Sequence, residues 1–342
     1  DYRRVTASEL RRSLDVLAPP PGDLAGTRDR PTISGPSTGC PFLLDARKNP
    51  LFQGLDLDPE RVQTKGCTFC LDNSGAYVVP KESDVVAAWL DGLRRVRDAR
   101  PDAREVLLTD ERPHPFLPAF FEAIAAKPHL APVELLWKSR VDWLLEYSDD
   151  VERACTIAAR TGSVLHLYLV GFESFDRAHL ELFNKGHGPE LNEAAIAKMR
   201  ELQERFPASF EHRRQRAHGI VLFTPWTEPE ALLENARWMR RLRFHELRAE
   251  AVKTRLRLYP RVPLHRLAER DGLLAERFEE GRGDRAAEQG YDASVPWRFR
   301  DRRTEAIYQL ANALHETDRA ITDADLIETA TRFVLRWPGL AD

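Results

Sequence analysis

No apolar run in the chain is long enough to span a bilayer, which sets the membrane-helix classes aside. A net field is missing too: 51 basic against 54 acidic side chains leave a formal charge of −3, so nothing global draws in nucleic acid. Cysteine is scarce, four in 342 residues, and clustered rather than spread. That argues against a disulfide framework and for a reducing, cytoplasmic setting. Low-complexity tracts are absent, and Asp1-Tyr2-Arg3-Arg4 does not open a secretory signal peptide. What remains is a chain with a hydrophobic fraction of 42% and room for a large core, as one α/β domain with appendages or as two domains.

Three of the four cysteines fall in one stretch, from Gly39-Cys40-Pro41 to Gly66-Cys67-Thr68-Phe69-Cys70. Thiolates spaced as Cys67 and Cys70 are can reach one metal centre together. Cys40 would complete three-point ligation and leave one position open. On the residues alone the centre is either a structural zinc, with His114 or another histidine as fourth ligand, or a [4Fe-4S] cluster whose fourth iron takes a small molecule. Between Cys40 and Cys67 lie 26 residues rich in Asp, Pro and Gly, read here as a long loop. Cys155 sits beside Ala154, Ile157 and Ala158 on a helical pattern and reads as a buried small hydrophobe.

Residues 1–29 form a lead-in with one short helix candidate and a proline block that no regular element can cross. From residue 30 onward, compact apolar runs alternate with amphipathic ones. Strand candidates cover residues 30–34, 105–109, 133–137, 164–170 and 219–223, with a sixth inside 247–258. Helix candidates follow at about 83–93, with Ser83 as the cap, then 116–126, 149–160, 189–204 and 228–242. Six alternations with short links signal parallel βαβ units. Periodicity does not choose between a doubly wound sheet and a barrel, but both put chemistry at the carboxyl ends of the strands. After residue 262 the pattern is helical, with candidates at 264–280, 304–315 and 323–337. The Arg-rich run from Arg237 to Arg243 reads as a solvated helix face.

Read at the strand ends, the sequence resembles the radical S-adenosylmethionine (radical SAM) superfamily, over roughly residues 31–274. Cys67-Thr68-Phe69-Cys70 is similar to that family's C-x-aromatic-C, and Gly39-Cys40-Pro41-Phe42 to the start of the same motif. Leu108-Thr109-Asp110-Glu111, Ser139-Arg140-Val141-Asp142, Gly171-Phe172-Glu173-Ser174 with Leu182-Phe183-Asn184-Lys185-Gly186, and Leu258-Tyr259-Pro260 resemble its later motifs in the right order. The first two cysteines depart from the pattern, since three residues usually separate them and here there are 26. Closing so large a loop is tolerable, because each doubling of length costs only roughly 0.6 kcal/mol. The fifth-strand segment lacks a later glycine common in the family, and Trp226 stands there as a flat surface for adenine or substrate.

The resemblance implies a partial (β/α)6 TIM-type barrel over residues 30–262, with an inserted loop at 41–66 beside the active site and a helical region at 263–342. It implies a [4Fe-4S] cluster on Cys40, Cys67 and Cys70, with S-adenosylmethionine on the fourth iron and Phe69 beside it. Glu111 would take the SAM ammonium, Glu173 the ribose hydroxyls and Arg140 or Lys185 the carboxylate, with Ser174 among the cofactor-binding residues. Reductive cleavage would then give a 5′-deoxyadenosyl radical that abstracts hydrogen from a small-molecule or peptide substrate, fed by an electron donor such as flavodoxin or ferredoxin. The lead-in resembles the linker of cobalamin-associated members, although the chain contains no cobalamin-domain pattern; a cobalamin-dependent methyltransferase and a non-catalytic iron–sulfur or zinc scaffold are the competing readings. Neither a membrane nor a nucleic acid is expected as a partner.

Overall fold

The computed structural model describes residues 30–36, 39–71, 81–275, 297–337 and 339. The lead-in helix candidate, the far end of the 264–280 candidate and the connector after it lie outside the described residues.

Six strands form one parallel sheet: β1 (Thr32–Ile33), β2 (Glu105–Leu108), β3 (Glu134–Arg140), β4 (Val164–Glu173), β5 (Phe210–Glu211) and β6 (Gly219–Ile220). They add in chain order from β1 to β5, and β6 pairs with β4 as well. β5 takes the amino half of β4, at Leu165 and His166, and β6 takes the carboxyl half, at Gly171 and Glu173. The expected fifth strand, 219–223, is reduced to β6, and β5 was not expected; both lie along β4. Two isolated bridges, Phe223 with Arg255 in parallel and Ala217 with Arg248 antiparallel, are what is strand-like of the expected sixth. Among the described residues strands β1 to β5 add in chain order with no reversal, which is not the order of a doubly wound sheet with its switch point.

Helices connect the strands: α1 (Glu82–Ala99), α2 (Leu117–Ala125), α3 (Val141–Glu146), α4 (Ser148–Arg160), α5 (Arg177–Leu182), α6 (Pro189–Arg205) and α7 (Pro229–Arg241). Val85, Trp89, Leu90 and Leu93 bury one face of α1, as their spacing dictates. Ser83 is not its cap: the helix starts at Glu82 behind Lys81, which makes no side-chain capping bond. Acidic Glu82 and Asp84 in the first turn still favour that end of the dipole. Leu135, Leu136 and Trp137 of β3 and Leu165 and Leu167 of β4 are fully buried. Each such side chain contributes about 1.5–3 kcal/mol of burial. Cys155 is part of this core, and burial pushes its thiol up to about 12.

Beyond the sheet lie α8 (Pro263–Arg270), α9 (Arg302–Thr317) and α10 (Asp323–Arg336). The last two pack on the α7 side of the molecule. Thr304 Oγ1 donates to Thr227 O at 2.8 Å, Asp323 Oδ2 accepts from the Ala251 amide at 2.8 Å, and Arg240 pairs with Glu328 at 2.6 Å. Arg255 lies over the rings of Trp297 and Tyr308, 4.7 and 4.9 Å from their centroids. The Arg-rich end of α7 is spent in this way on ion pairs, with Arg241 joining Glu193 and Arg237 joining Glu234. Among the described residues no helix is long and apolar enough to cross a membrane.

Candidate metal and cofactor centre

Cys67 and Cys70 bracket a tight turn closed by the Cys70 amide on Cys67 O at 3.2 Å. Thr68, fully buried, anchors it: its amide donates to Phe183 O at 3.2 Å and its hydroxyl to Leu182 O at 2.6 Å. On the other side Thr68 O accepts from the Leu264 amide at 3.3 Å, and Cys70 O from Gln63 Nε2 at 3.0 Å. Phe69 meets Phe183 edge to face, centroids 5.1 Å apart. With Thr68 turned into the protein, both thiols stay partly exposed.

The 26-residue gap between Cys40 and Cys67 closes on itself. Gly66 N donates to Leu44 O at 2.9 Å, Ala46 N donates to Thr64 O at 2.7 Å, and Asp45 and Lys65 form an antiparallel bridge. Two 3-10 turns, Ala46–Lys48 and Pro50–Phe52, start the excursion, and Phe52, Leu57 and Val62 bury it against the core. It is thus a docked module and not an open loop. Asn49 Nδ2 ties it to Glu181 O at 2.8 Å, and the Gln63 amide to Arg261 O at 2.9 Å. Cys40, at the head of the insertion, lies within the electrostatic influence of Cys67. Burial pushes its thiol up to about 11; the charges of Glu111 and Cys67 add to the rise, while the Phe42 amide and the Arg140 guanidinium oppose it. Those influences put Cys40, Cys67, Glu111 and Arg140 within electrostatic reach of one another.

Arg140, at the carboxyl end of β3, joins these parts. Its Nη1 lies 3.3 Å from Cys67 Sγ, Nη2 donates to Lys185 O at 2.8 Å, and Nε and Nη2 grip Asp142 at 2.9 and 3.0 Å. The guanidinium carbon lies over the Phe42 ring, 3.5 Å from its centroid. Burial works against its charge, and the Cys67 sulfur and Asp142 more than restore it.

Glu173 ends β4 in the left-handed region at φ 64°, a strained conformation for a residue with a side chain. Its Oε1 lies 3.5 Å from the buried Lys185 Nζ, which also donates to Gly171 O at 3.0 Å. The carboxylate overhangs two glycines. A Cβ on Gly171 would sit 2.5 Å from Glu173 Oε1, and one on Gly219 3.3 Å from Gly171 Cα. Side chains at these positions would fill the space beneath the carboxylate.

The sequence-expected residues therefore separate. Cys40, Cys67, Arg140 and Glu111 share one neighbourhood; Cys70 and Phe69 sit on the Cys67 turn, and Lys185 holds Glu173. Glu111 is ion-paired with Lys138, a partner the sequence reading did not anticipate. Ser174 faces elsewhere: fully buried, its hydroxyl donates to Asn235 Oδ1 of α7 at 3.2 Å and accepts from the Asp176 amide at 3.0 Å. Trp226 is fixed by its indole N–H on Asp271 Oδ2 at 2.8 Å. Asn184 and Gly171 entered the sequence reading only as motif residues and Gly219 only as a strand residue, with no role given; an Asn before Lys-Gly in a turn was the signal available for the first.

For zinc the arrangement is poor. Among the described residues no three His, Cys, Asp or Glu side chains gather tightly enough to hold one ion. His114 is engaged with Ser139 Oγ at 2.7 Å and packed on Trp137, and burial drops its pKa to about 3. The same lack of a tight group holds for the three thiols a cluster would need; what the residues offer a cluster is soft sulfur with an N–H donor turned toward it, as Arg140 is toward Cys67.

Comparison with solved structures bears on the fold. The cobalamin-dependent S-adenosylmethionine radical enzyme OxsB, with aqua-cobalamin and S-adenosylmethionine bound, matches with a TM-score of 0.56 at 13% identity. The chain shares the fold of a radical SAM enzyme. The same enzyme with aqua-cobalamin alone matches with a TM-score of 0.53 at 14% identity. Each match covers 83% of this chain and 41% of OxsB, so the chain spans about two fifths of that enzyme's length. No protein-family model matches the chain, and no curated protein matches it in sequence.

Proposed function

We propose that the protein is a radical SAM enzyme built on an open (β/α)6 barrel, with Cys40, Cys67 and Cys70 holding a [4Fe-4S] cluster. When bound, the cluster and S-adenosylmethionine supply a 5′-deoxyadenosyl radical that removes hydrogen from an organic or peptide substrate. The chain's own residues prepare the place for it. Arg140, itself locked by Asp142 and the Lys185 carbonyl, donates toward Cys67 Sγ and fixes the orientation of that side chain. Glu173, raised over Gly171 and Gly219 and steadied by Lys185, offers two carboxylate oxygens to the ribose hydroxyls. Glu111, ion-paired with Lys138, would hold the ammonium of S-adenosylmethionine. Lys185 and Arg140, committed to protein partners, act in this reading as supports for Glu173 and Cys67.

The observation that carries the proposal is the Cys67 turn with Arg140 turned onto Cys67 Sγ and the insertion closed on itself beside it, in a fold shared with a radical SAM enzyme. The cobalamin named for OxsB belongs to that enzyme and is not part of the proposal. An electron carrier of the flavodoxin or ferredoxin kind would complete the system. To test it, the protein is reconstituted anaerobically with iron and sulfide and given S-adenosylmethionine and dithionite, and 5′-deoxyadenosine is measured. Wild type is expected to form it and Cys67→Ala is not; equal product in both, or none from a fully loaded wild type, overturns the reading.

A further inference from the structure

The turn after α5 touches the cysteine segments through four consecutive residues. Leu182 O and Phe183 O hold Thr68, and Lys185 O holds Arg140, which in turn reaches Cys67. Between them Asn184 does something different. Its side-chain amide donates to Leu44 O at 3.0 Å and to Gly66 O at 2.9 Å, one carbonyl from each end of the 41–66 module. Leu44 and Gly66 already face each other through the Gly66 N to Leu44 O bond, so Asn184 closes the same junction from outside. Gly186, two residues on, lies against it as well: a Cβ there would be 3.4 Å from Phe42 Cζ and 3.5 Å from Leu44 Cδ2.

Resting on the proposed cluster reading, we infer that Asn184 is a positioning residue, the clip that makes two cysteines with 26 residues between them behave as neighbours in one ligand set. Few side chains fit the requirement. The backbone at Asn184 is left-handed, φ 54°, which favours Gly, Asn and Asp. Both partners are carbonyl oxygens, so the side chain must present two N–H groups, which Asp and Gly lack. The residue is 4% exposed, so water does not readily replace the lost donors. Asn satisfies the backbone and both carbonyls at once.

The test separates the clip from the turn. Asn184→Gly keeps the left-handed backbone and removes the donors; Asn184→Asp keeps the shape and turns a carboxylate on two carbonyl oxygens. Amide hydrogen exchange is read at Ala46 and Gly66 in the cluster-free full chain, with Leu136 and Leu167 in the central strands as reference. Both variants are expected to speed exchange at the junction by about tenfold, Asp more than Gly, and to leave the reference amides unchanged. Iron taken up on anaerobic reconstitution falls in the same order. Wild-type exchange in Asn184→Gly means only the turn matters and overturns the clip, as does equal loosening of the reference strands. Junction loosening with undiminished iron overturns its bearing on the cysteines. A wild type that loosens as expected on substitution but never takes up iron instead sinks the cluster reading, and with it the bearing on ligation, while the clip at the junction stands.

Discussion

Along the amino edge of the sheet Arg30, Glu105, Arg214, Glu134 and His166 run as a chain of opposites, with Arg30 2.8 Å from Glu105, Arg214 3.6 Å from Glu105 and in contact with Glu134, and Glu134 2.8 Å from His166. Along the carboxyl edge the charges are interleaved with thiols, a strained Glu173 and two bare glycines. At the amino edge the protein satisfies itself. At the carboxyl edge backbone irregularity aims side chains at a shared space: β4 loses register with β3 after Trp137 and with β6 between Gly171 and Glu173. Irregular pairing of that kind re-aims side chains next to functional sites, so the contrast reads as a division between structure and chemistry.

The sharpest way to break the contrast is Gly171→Ala, which drives a methyl into the space of Glu173 Oε1. Binding of S-adenosylmethionine to the reconstituted protein, by calorimetry, is expected to weaken about 100-fold with iron content intact. Unchanged affinity would mean that the Glu173 carboxylate is only structural. Next is Arg140→Lys, which loses the fork on Asp142 and the reach to Cys67. A loss of about 2 kcal/mol in urea unfolding is expected, together with faster loss of iron to a chelator.

Acid provides a third comparison. Burial holds His212 and His218 near pKa values of about 3 and about 4, and His114 at about 3, against an ordinary 6.5. Below 6.5 the unfolded chain takes up protons that the folded chain refuses, so stability falls as pH drops from 6.5 toward 4. His212→Gln is expected to flatten that slope in thermal melts, by up to one proton's worth; an unaltered slope would mean His212 titrates normally in the fold. The smallest effect belongs to Glu134→Gln. Hydrogen bonds from Arg214 and His166 outweigh burial and hold the Glu134 carboxyl below its usual 4.5, so its stabilisation is present above that value and lost as pH falls below it. At neutral pH the variant is expected to lose about 1 kcal/mol and to bind S-adenosylmethionine as wild type does. A binding defect here would erase the distinction between the edges.

The same division marks what was legible in the sequence. Apolar periodicity found β2, β3, β4 and most helices because burial is written locally, in spacings of two and of three to four residues. It overlooked β5 and overstated β6, since two-residue strands carry no period. Cys40, Cys67 and Cys70 stood out by residue type. The roles of Arg140, Lys185, Ser174 and Asn184 did not, because their partners lie far along the chain: Asn184 reaches Leu44 and Gly66, Arg140 reaches Cys67, and Ser174 reaches Asn235. A strand-end polar residue announces that it is at the rim, but whether it faces the opening or the surrounding helices depends on bulges and on φ. Ser174, one residue past the left-handed Glu173, turned outward for that reason.

The central claim is that the distant Cys40 is a ligand on equal terms with Cys67, and iron content measures it most directly. Wild type and Cys40→Ala are reconstituted anaerobically side by side, and iron, sulfide and the cluster's low-temperature EPR signal are recorded. The account expects a full cluster's iron in wild type and its loss in Cys40→Ala, matching Cys67→Ala. A Cys40→Ala protein that retains the whole cluster and its signal would contradict it.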